Sequence, residues 1–336
     1  PVISVVFVCN TTVMILTRTR TIRSFYNTHS AWGLTVHMHT KTAAAFILLV
    51  CLPGISQAAL NVFTCEPEWA ALVKELSDDE INIYSATTST QDPHHIQARP
   101  SLIAKARRAD LLICTVAELE AGWLPLLLRK AGNAAIQPGQ PGFFMTSDYV
   151  DMLEVPTTLD RSLGDIHASG NPHIHLDPNN IIRVANALTQ RLIELNESGS
   201  QHYQKNQEQF IKRWQQAMAG WSERAASLRG QDIVMHHNTW PYLSHWLGMN
   251  AVATLEPIPG VLPASSHLAR LEKRLNHDDV AMIIHADYVN ERSAQWLSSR
   301  TGIPIVSLPA SVNFQQGETL VQFYETIIDA LMASRE

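Results

Sequence analysis

Three short segments of this chain set histidine beside proline, aspartate or asparagine. They are Gln91-Asp92-Pro93-His94-His95, then Asp165-Ile166-His167 with Gly170-Asn171-Pro172-His173-Ile174-His175-Leu176-Asp177-Pro178, and Met235-His236-His237-Asn238. Neutral imidazole is a borderline ligand that suits zinc and its neighbours, and three imidazoles with one further position is a common zinc arrangement. Proline before His94 and before His173 fixes φ next to the candidate ligand, so the loop has less freedom to lose on binding. A lone histidine in any one segment is more often a hydrogen-bonded structural residue. Three such clusters at equivalent places favour a shared metal site.

The elements that must position these segments can be read from the apolar pattern. Short β-branched or apolar runs at 60–64, 81–85 and 110–115, and again at 233–236, 251–255, 280–284 and 305–308, alternate with stretches of helical periodicity. Such alternation predicts parallel sheets covered by helices. Between the halves lie two helical stretches, 179–196 and 199–229. In the second, Tyr203, Phe210, Trp214, Met218, Trp221, Ala225 and Leu228 mark one apolar stripe. The expected fold is α/β: two lobes, each a parallel β-sheet flanked by helices, bridged by a long helix. The expected boundaries are 59–178 for the N-terminal lobe, 179–230 for the helical segment with the interlobe helix, and 231–336 for the C-terminal lobe. In open α/β sheets ligands bind in the crevice beyond the carboxyl ends of the strands, which is where the histidine segments fall.

With 336 residues the chain suits two domains of ordinary size. It is 46% hydrophobic and 17% charged with a net charge of −6, which leaves no polybasic footprint for nucleic acid or anionic lipid. No glycine-rich phosphate loop follows a strand. Residues 1–58 differ from the rest: they hold no Asp or Glu and carry an apolar run from Ala43 to Val50 after Lys41. This is export-signal composition, with Met38 as the start, a breaker at Pro53-Gly54 and a small-x-small site at Ser56-Gln57-Ala58. The expectation is a signal peptide at 38–58, cleaved to leave a periplasmic protein, with 1–37 a non-native upstream segment. The apolar run is short for a spanning helix, which needs about 20 residues, and Val50 precedes Cys51 where a lipobox wants a small residue. Beyond residue 58 only Cys65 and Cys114 remain, too few for a disulfide scaffold or a thiolate zinc cluster. A metal must be held by imidazole and oxygen. The two cysteines end neighbouring strands in a sheet of order 2-1-3, and either a disulfide or two buried thiols fits that placement.

The motifs, taken together, carry a resemblance. Asp92-Pro93-His94 with Arg99-Pro100-Ser101, Pro172-His173-Ile174-His175-Leu176-Asp177-Pro178, His236-His237-Asn238-Thr239-Trp240-Pro241-Tyr242-Leu243, Leu255-Glu256-Pro257-Ile258-Pro259-Gly260, and Arg300-Thr301-Gly302-Ile303-Pro304 resemble, in order and spacing, the zinc and manganese substrate-binding proteins of bacterial ABC importers. The resemblance implies metal ligands at His94, His173 and His237, with His95, His175 and His236 at non-ligand positions. Manganese-preferring members carry a glutamate at the third position, so His237 points to zinc rather than manganese. It also implies delivery to an importer's permease and ATPase by a monomer. The family's acidic fourth ligand has no counterpart here, where the chain reads Ser307-Leu308-Pro309-Ala310. Water, Glu66, Asp165, His167 and Asp287 are all open for that position.

Two other functions fit three histidines. A zinc hydrolase also uses three imidazoles and a water, but no His-Glu-x-x-His helix is present and no carboxylate is placed as general base. An adhesin or other metal-binding module on the same fold is not excluded by sequence, because fold does not fix function.

Overall fold

The structure, a computed structural model, describes residues 5–9, 12–16, 59–77, 81–157, 167–275 and 279–334. It divides into two compact units, 1–57 and 58–336. In the first, β1 (Val5–Cys9) pairs antiparallel with β2 (Thr12–Leu16). The signal peptide expected at 38–58 lies outside the described residues.

The second unit holds two four-stranded sheets, both wholly parallel. The first comprises β3 (Asn61–Thr64), β4 (Asn82–Ser85), β5 (Leu111–Cys114) and β6 (Phe143–Met145), in the order β4-β3-β5-β6. The second comprises β7 (Asp232–Met235), β8 (Asn250–Thr254), β9 (Val280–Ala286) and β10 (Ile305–Leu308), in the order β10-β9-β7-β8. Each sheet therefore has the order 2-1-3-4, counting its own strands along the chain. Its inner strands read as unbroken apolar runs because both faces are covered: every residue of β5 is buried, as are Ile233, Val234 and Met235 of β7. The three-residue strand β6 has no counterpart among the runs expected from sequence. It is an edge strand too short to show a period.

Helices α1 (Pro67–Ser77), α2 (Pro100–Ala106) and α3 (Leu124–Ala131) belong to the first half. Then come α4 (Pro178–Leu195) and α5 (Ser200–Arg224), followed by α6 (Pro241–Leu247), α7 (Ser265–Leu275), α8 (Arg292–Thr301) and α9 (Leu320–Ala333). The long helix is α5, whose 25 residues span about 37 Å at 1.5 Å per residue. Its buried stripe is Tyr203, Asn206, Phe210, Trp214 and Trp221. Trp221 stacks on Tyr324 of α9 with centroids 5.0 Å apart, and Trp214 meets the same ring edge-on at 5.2 Å. Arg213 pairs with Glu75 of α1 at 2.7 Å, so one helix is fastened to both halves. The main core likewise runs from Val62 and Ile113 through Trp214 to Ile233 and Ile327. A stiff helix on a shared core keeps the strand ends of the two sheets at a defined spacing, and the histidines lie at those ends.

Candidate metal centre

His94 follows β4 in a single 3-10 turn, Pro93–His95, where the Asp92 side chain accepts a hydrogen bond from the His94 backbone N–H. The same carboxylate accepts from His94 Nδ1 at 2.9 Å. Trp123, buried behind the turn, donates from Nε1 to the Pro93 carbonyl at 2.9 Å. The Trp123 indole thereby pins the loop that carries His94.

His173, in the second segment, precedes the 3-10 turn Ile174–Leu176 and is 6% exposed. Its backbone N–H donates to Asn171 Oδ1 at 3.0 Å, and Asn171 Nδ2 donates to the Asn238 carbonyl at 2.9 Å. Asn171 thus ties the His173 segment to the one that carries His237. Tyr242 completes this junction, donating its hydroxyl to the Asn171 carbonyl and accepting from the Leu153 N–H, both at 3.0 Å. Two residues on, both ring nitrogens of His175 face other groups. Its Nε2 donates to the Ala310 carbonyl at 2.9 Å, its Nδ1 lies 3.2 Å from Glu68, and its own carbonyl accepts from the Tyr324 hydroxyl at 2.6 Å.

His237 lies just past β7, with Nδ1 donating to Glu256 Oε2 at 2.7 Å. Glu256 Oε2 also accepts from the Gly260 N–H at 2.8 Å, which fixes the carboxylate. His236 is 3% exposed, and its Nδ1 is 3.9 Å from Glu256.

The rings of His94, His173 and His237 converge. Their centroids are 6.0 Å apart for His94–His173, 6.2 Å for His94–His237 and 6.1 Å for His173–His237. His167 joins them, its ring centroid 5.3 Å from that of His94. An ion bound at about 2.0–2.1 Å by four imidazole nitrogens in a tetrahedron spaces ring centroids by about 5.2 Å. The arrangement is therefore close to a closed site and opened by up to about an ångström.

The electrostatics favour a cation. Burial, and then the neighbouring imidazoles led by His94 and His237, hold the His173 pKa well below its usual value, so this ring is neutral and able to donate a lone pair. Burial pushes the Asp92 carboxyl up, but its hydrogen bond with His94 and the attraction of that ring outweigh burial and leave it below the ordinary value. Glu256 behaves likewise: burial raises it, while the bond from His237 and the Gly260 N–H lower it. Each of these two carboxylates orients an imidazole through Nδ1 and leaves Nε2 for the ion, the usual outer partnership of metal-bound histidine.

The other candidates for the fourth position are disposed differently. Glu66 is 2% exposed and accepts from the Thr115 N–H at 3.2 Å; burial, then Glu120 beside it, raises its pKa well above the ordinary value. Asp287 is exposed. Asp165 lies outside the described residues. Cys65 and Cys114 form a disulfide across β3 and β5, Cα atoms 4.8 Å apart. These sulfurs and a Glu120 oxygen lie within 4.8 Å of one another, but sulfurs joined to each other are not thiolate ligands.

Comparison with known proteins follows the same line. Residues 62–334 match the profile of the family described as zinc-uptake complex component A, periplasmic. The manganese ABC transporter substrate-binding lipoprotein PsaA of Streptococcus pneumoniae is 25% identical over 274 residues, 78% of this chain and 84% of that protein. The zinc-binding lipoprotein AdcA of Streptococcus pneumoniae (strain ATCC BAA-255 / R6) is 22% identical over 299 residues, covering 85% of this chain and 58% of AdcA. Among solved structures, a zinc-bound ZnuA deletion mutant superposes with a TM-score of 0.67 at 16% identity, over 82% of this chain and 96% of that one. The substrate-binding protein FpvC from Pseudomonas aeruginosa, in complex with Mn2+, gives 0.66 at 18% identity, over 83% and 98%.

Proposed function

The chain belongs to the periplasmic zinc-uptake complex component A family, metal-binding components of ABC importers and not enzymes, and from that premise we propose that its cargo is zinc, held by His94, His173 and His237. The observation that carries this reading is the convergence of the three rings, two with Nδ1 engaged by a carboxylate. Imidazole nitrogen suits zinc, whereas manganese prefers carboxylate and other oxygen donors. A manganese cargo is the second reading, raised by the PsaA relative.

In this account one lobe, 59–178, supplies His94 and His173, and the other, 231–336, supplies His237. Segment 179–230 holds them at a fixed spacing, and a monomer loaded with zinc docks on the permease of the importer. We further place the protein in the periplasm, freed by cleavage after Ala58. Among the described residues no helix is long and apolar enough to cross a membrane.

Equilibrium competition between zinc and manganese, against chelators of known affinity, tests the cargo. The protein is expected to bind one zinc far more tightly than manganese. His94→Ala, His173→Ala and His237→Ala should each lower zinc affinity much more than His175→Ala, whose ring is bonded to Ala310. Equal loss on replacing His175, or tighter binding of manganese, overturns the assignment.

A further inference from the structure

Resting on the metal-capture reading, we propose that His167 is the fourth protein ligand, so that the cargo is held by four neutral imidazoles with every carboxylate outside the coordination sphere. His94 Nε2 and His167 Nε2 are 3.3 Å apart. With bonds of about 2.0–2.1 Å, two donors on a tetrahedral ion are separated by about 3.3 Å. This pair already stands at the edge length of a tetrahedral site, and its ring spacing is the shortest given for the cluster.

Three of the nearby acids, Asp92, Glu256 and Glu68, are engaged elsewhere. Asp92 and Glu256 each sit on an Nδ1, on the far side of its ring from the nitrogen that would meet the ion. Glu68 accepts from the Ser311 hydroxyl and lies against His175, whereas Glu66 accepts from Thr115 through Oε2 and keeps Oε1 without a hydrogen-bond partner, its charged form disfavoured by burial and by Glu120 beside it. Among the described residues, His167 is the further ring that comes nearest to one of the three, 5.3 Å from His94 against 6.3 Å for His95 from His94 and 6.4 Å for His175 from His173.

The backbone around His167 is built to hold it. The Gly170 N–H donates to the His167 carbonyl at 3.1 Å, closing a turn in which Gly170 has φ +103°, and a Cβ there would come 2.7 Å from the Leu153 carbonyl oxygen. The Ala168 N–H donates to the Glu118 carboxylate. Glu118 is the last of three consecutive left-handed residues, Val116, Ala117 and Glu118, with φ of 62°, 44° and 69°, just beyond the disulfide-bonded Cys114. Valine is costly in that region, and one result of the run is a carboxylate aimed at the turn carrying His167. Glu118 is thus a positioning residue for the fourth ligand.

Four neutral nitrogens leave the bound ion its full double charge, balanced only from outside by Asp92 and Glu256. Such a donor set takes the borderline ions zinc, cobalt and nickel and offers no oxygen to manganese or magnesium.

Cobalt(II) titration of the full chain tests the proposal. A tetrahedral cobalt(II) site lacks an inversion centre and absorbs strongly in the visible. The parent protein is expected to show that intense band, and His167→Ala to weaken it and lower zinc affinity by more than about tenfold, exceeding the smallest effect of losing an outer partner. His167→Asp should narrow the preference for zinc over manganese. Glu118→Ala should lower affinity less and leave the band at saturation unchanged. Far-UV circular dichroism and melting of the metal-free proteins serve as folding controls. Loss of binding in His173→Ala with none in His167→Ala overturns the fourth-ligand proposal and leaves capture standing. Loss in neither overturns both.

Discussion

Glu256 is the place where a small change should have a calculable effect on metal binding. Its Oε2 accepts from both His237 Nδ1, at 2.7 Å, and the Gly260 N–H, at 2.8 Å, and the side chain is 11% exposed. Glu256→Gln keeps the shape and an acceptor oxygen but removes the charge. A hydrogen bond to a charged group contributes about 1.5–3 kcal/mol against about 0.5–1.5 for a neutral pair, so the change costs on the order of 1.4 kcal/mol, or about tenfold in zinc affinity. Glu256→Ala also frees the ring to rotate and should approach the upper end of the roughly 10–100-fold range for lost outer partners. Chelator competition at pH 7.5 measures both. Because the effect acts through His237, a double-mutant cycle is decisive: in a His237→Ala background, Glu256→Gln should cost almost nothing more. Additive losses, or a glutamine variant within about twofold of the parent, would refute the idea that Glu256 works by orienting His237.

Three further outcomes are expected. His173 has a depressed pKa, so the unfolded chain takes up its proton at about 6.5 while the folded protein resists until lower pH; metal-free stability is thus expected to fall as pH drops through that window, and His173→Gln to flatten the slope in denaturant melts. For the same reason, calorimetry at pH 6 in buffers of different ionisation enthalpy should show fewer protons released per zinc than there are imidazole ligands. The Cys65–Cys114 bond closes a loop with a sequence separation of 49, for which chain entropy gives at most about 4 kcal/mol. Replacing both cysteines with alanine should destabilise by about 2–4 kcal/mol in urea, and a change below about 1 would show that the loop is already restrained.

Much of this architecture is legible in the sequence because local chemistry and global fold agree. The runs around β3, β5, β7 and β9 are mostly apolar because parallel strands are covered on both faces. The stripe from Tyr203 to Trp221 announces the long helix, since a core on one side imposes a period of 3.6. The convergence of His94, His173 and His237 is less legible, because these residues are up to 143 positions apart and nothing local brings them together; only the resemblance aligned them. His167 had no signal beyond its type. The outer groups were hidden too: Trp123 as a loop tether, Asn171 and Tyr242 as the junction between segments, and Glu118 on a left-handed run of non-glycine residues that no propensity predicts.

Capture of one zinc ion by imidazoles from both halves of the chain is tested most directly by a crystal structure of the zinc-loaded protein with an anomalous map at the zinc edge. A single strong peak is expected within about 2.0–2.1 Å of the Nε2 atoms of His94, His173 and His237. A peak elsewhere, or a first shell supplied chiefly by carboxylate oxygens, would contradict it.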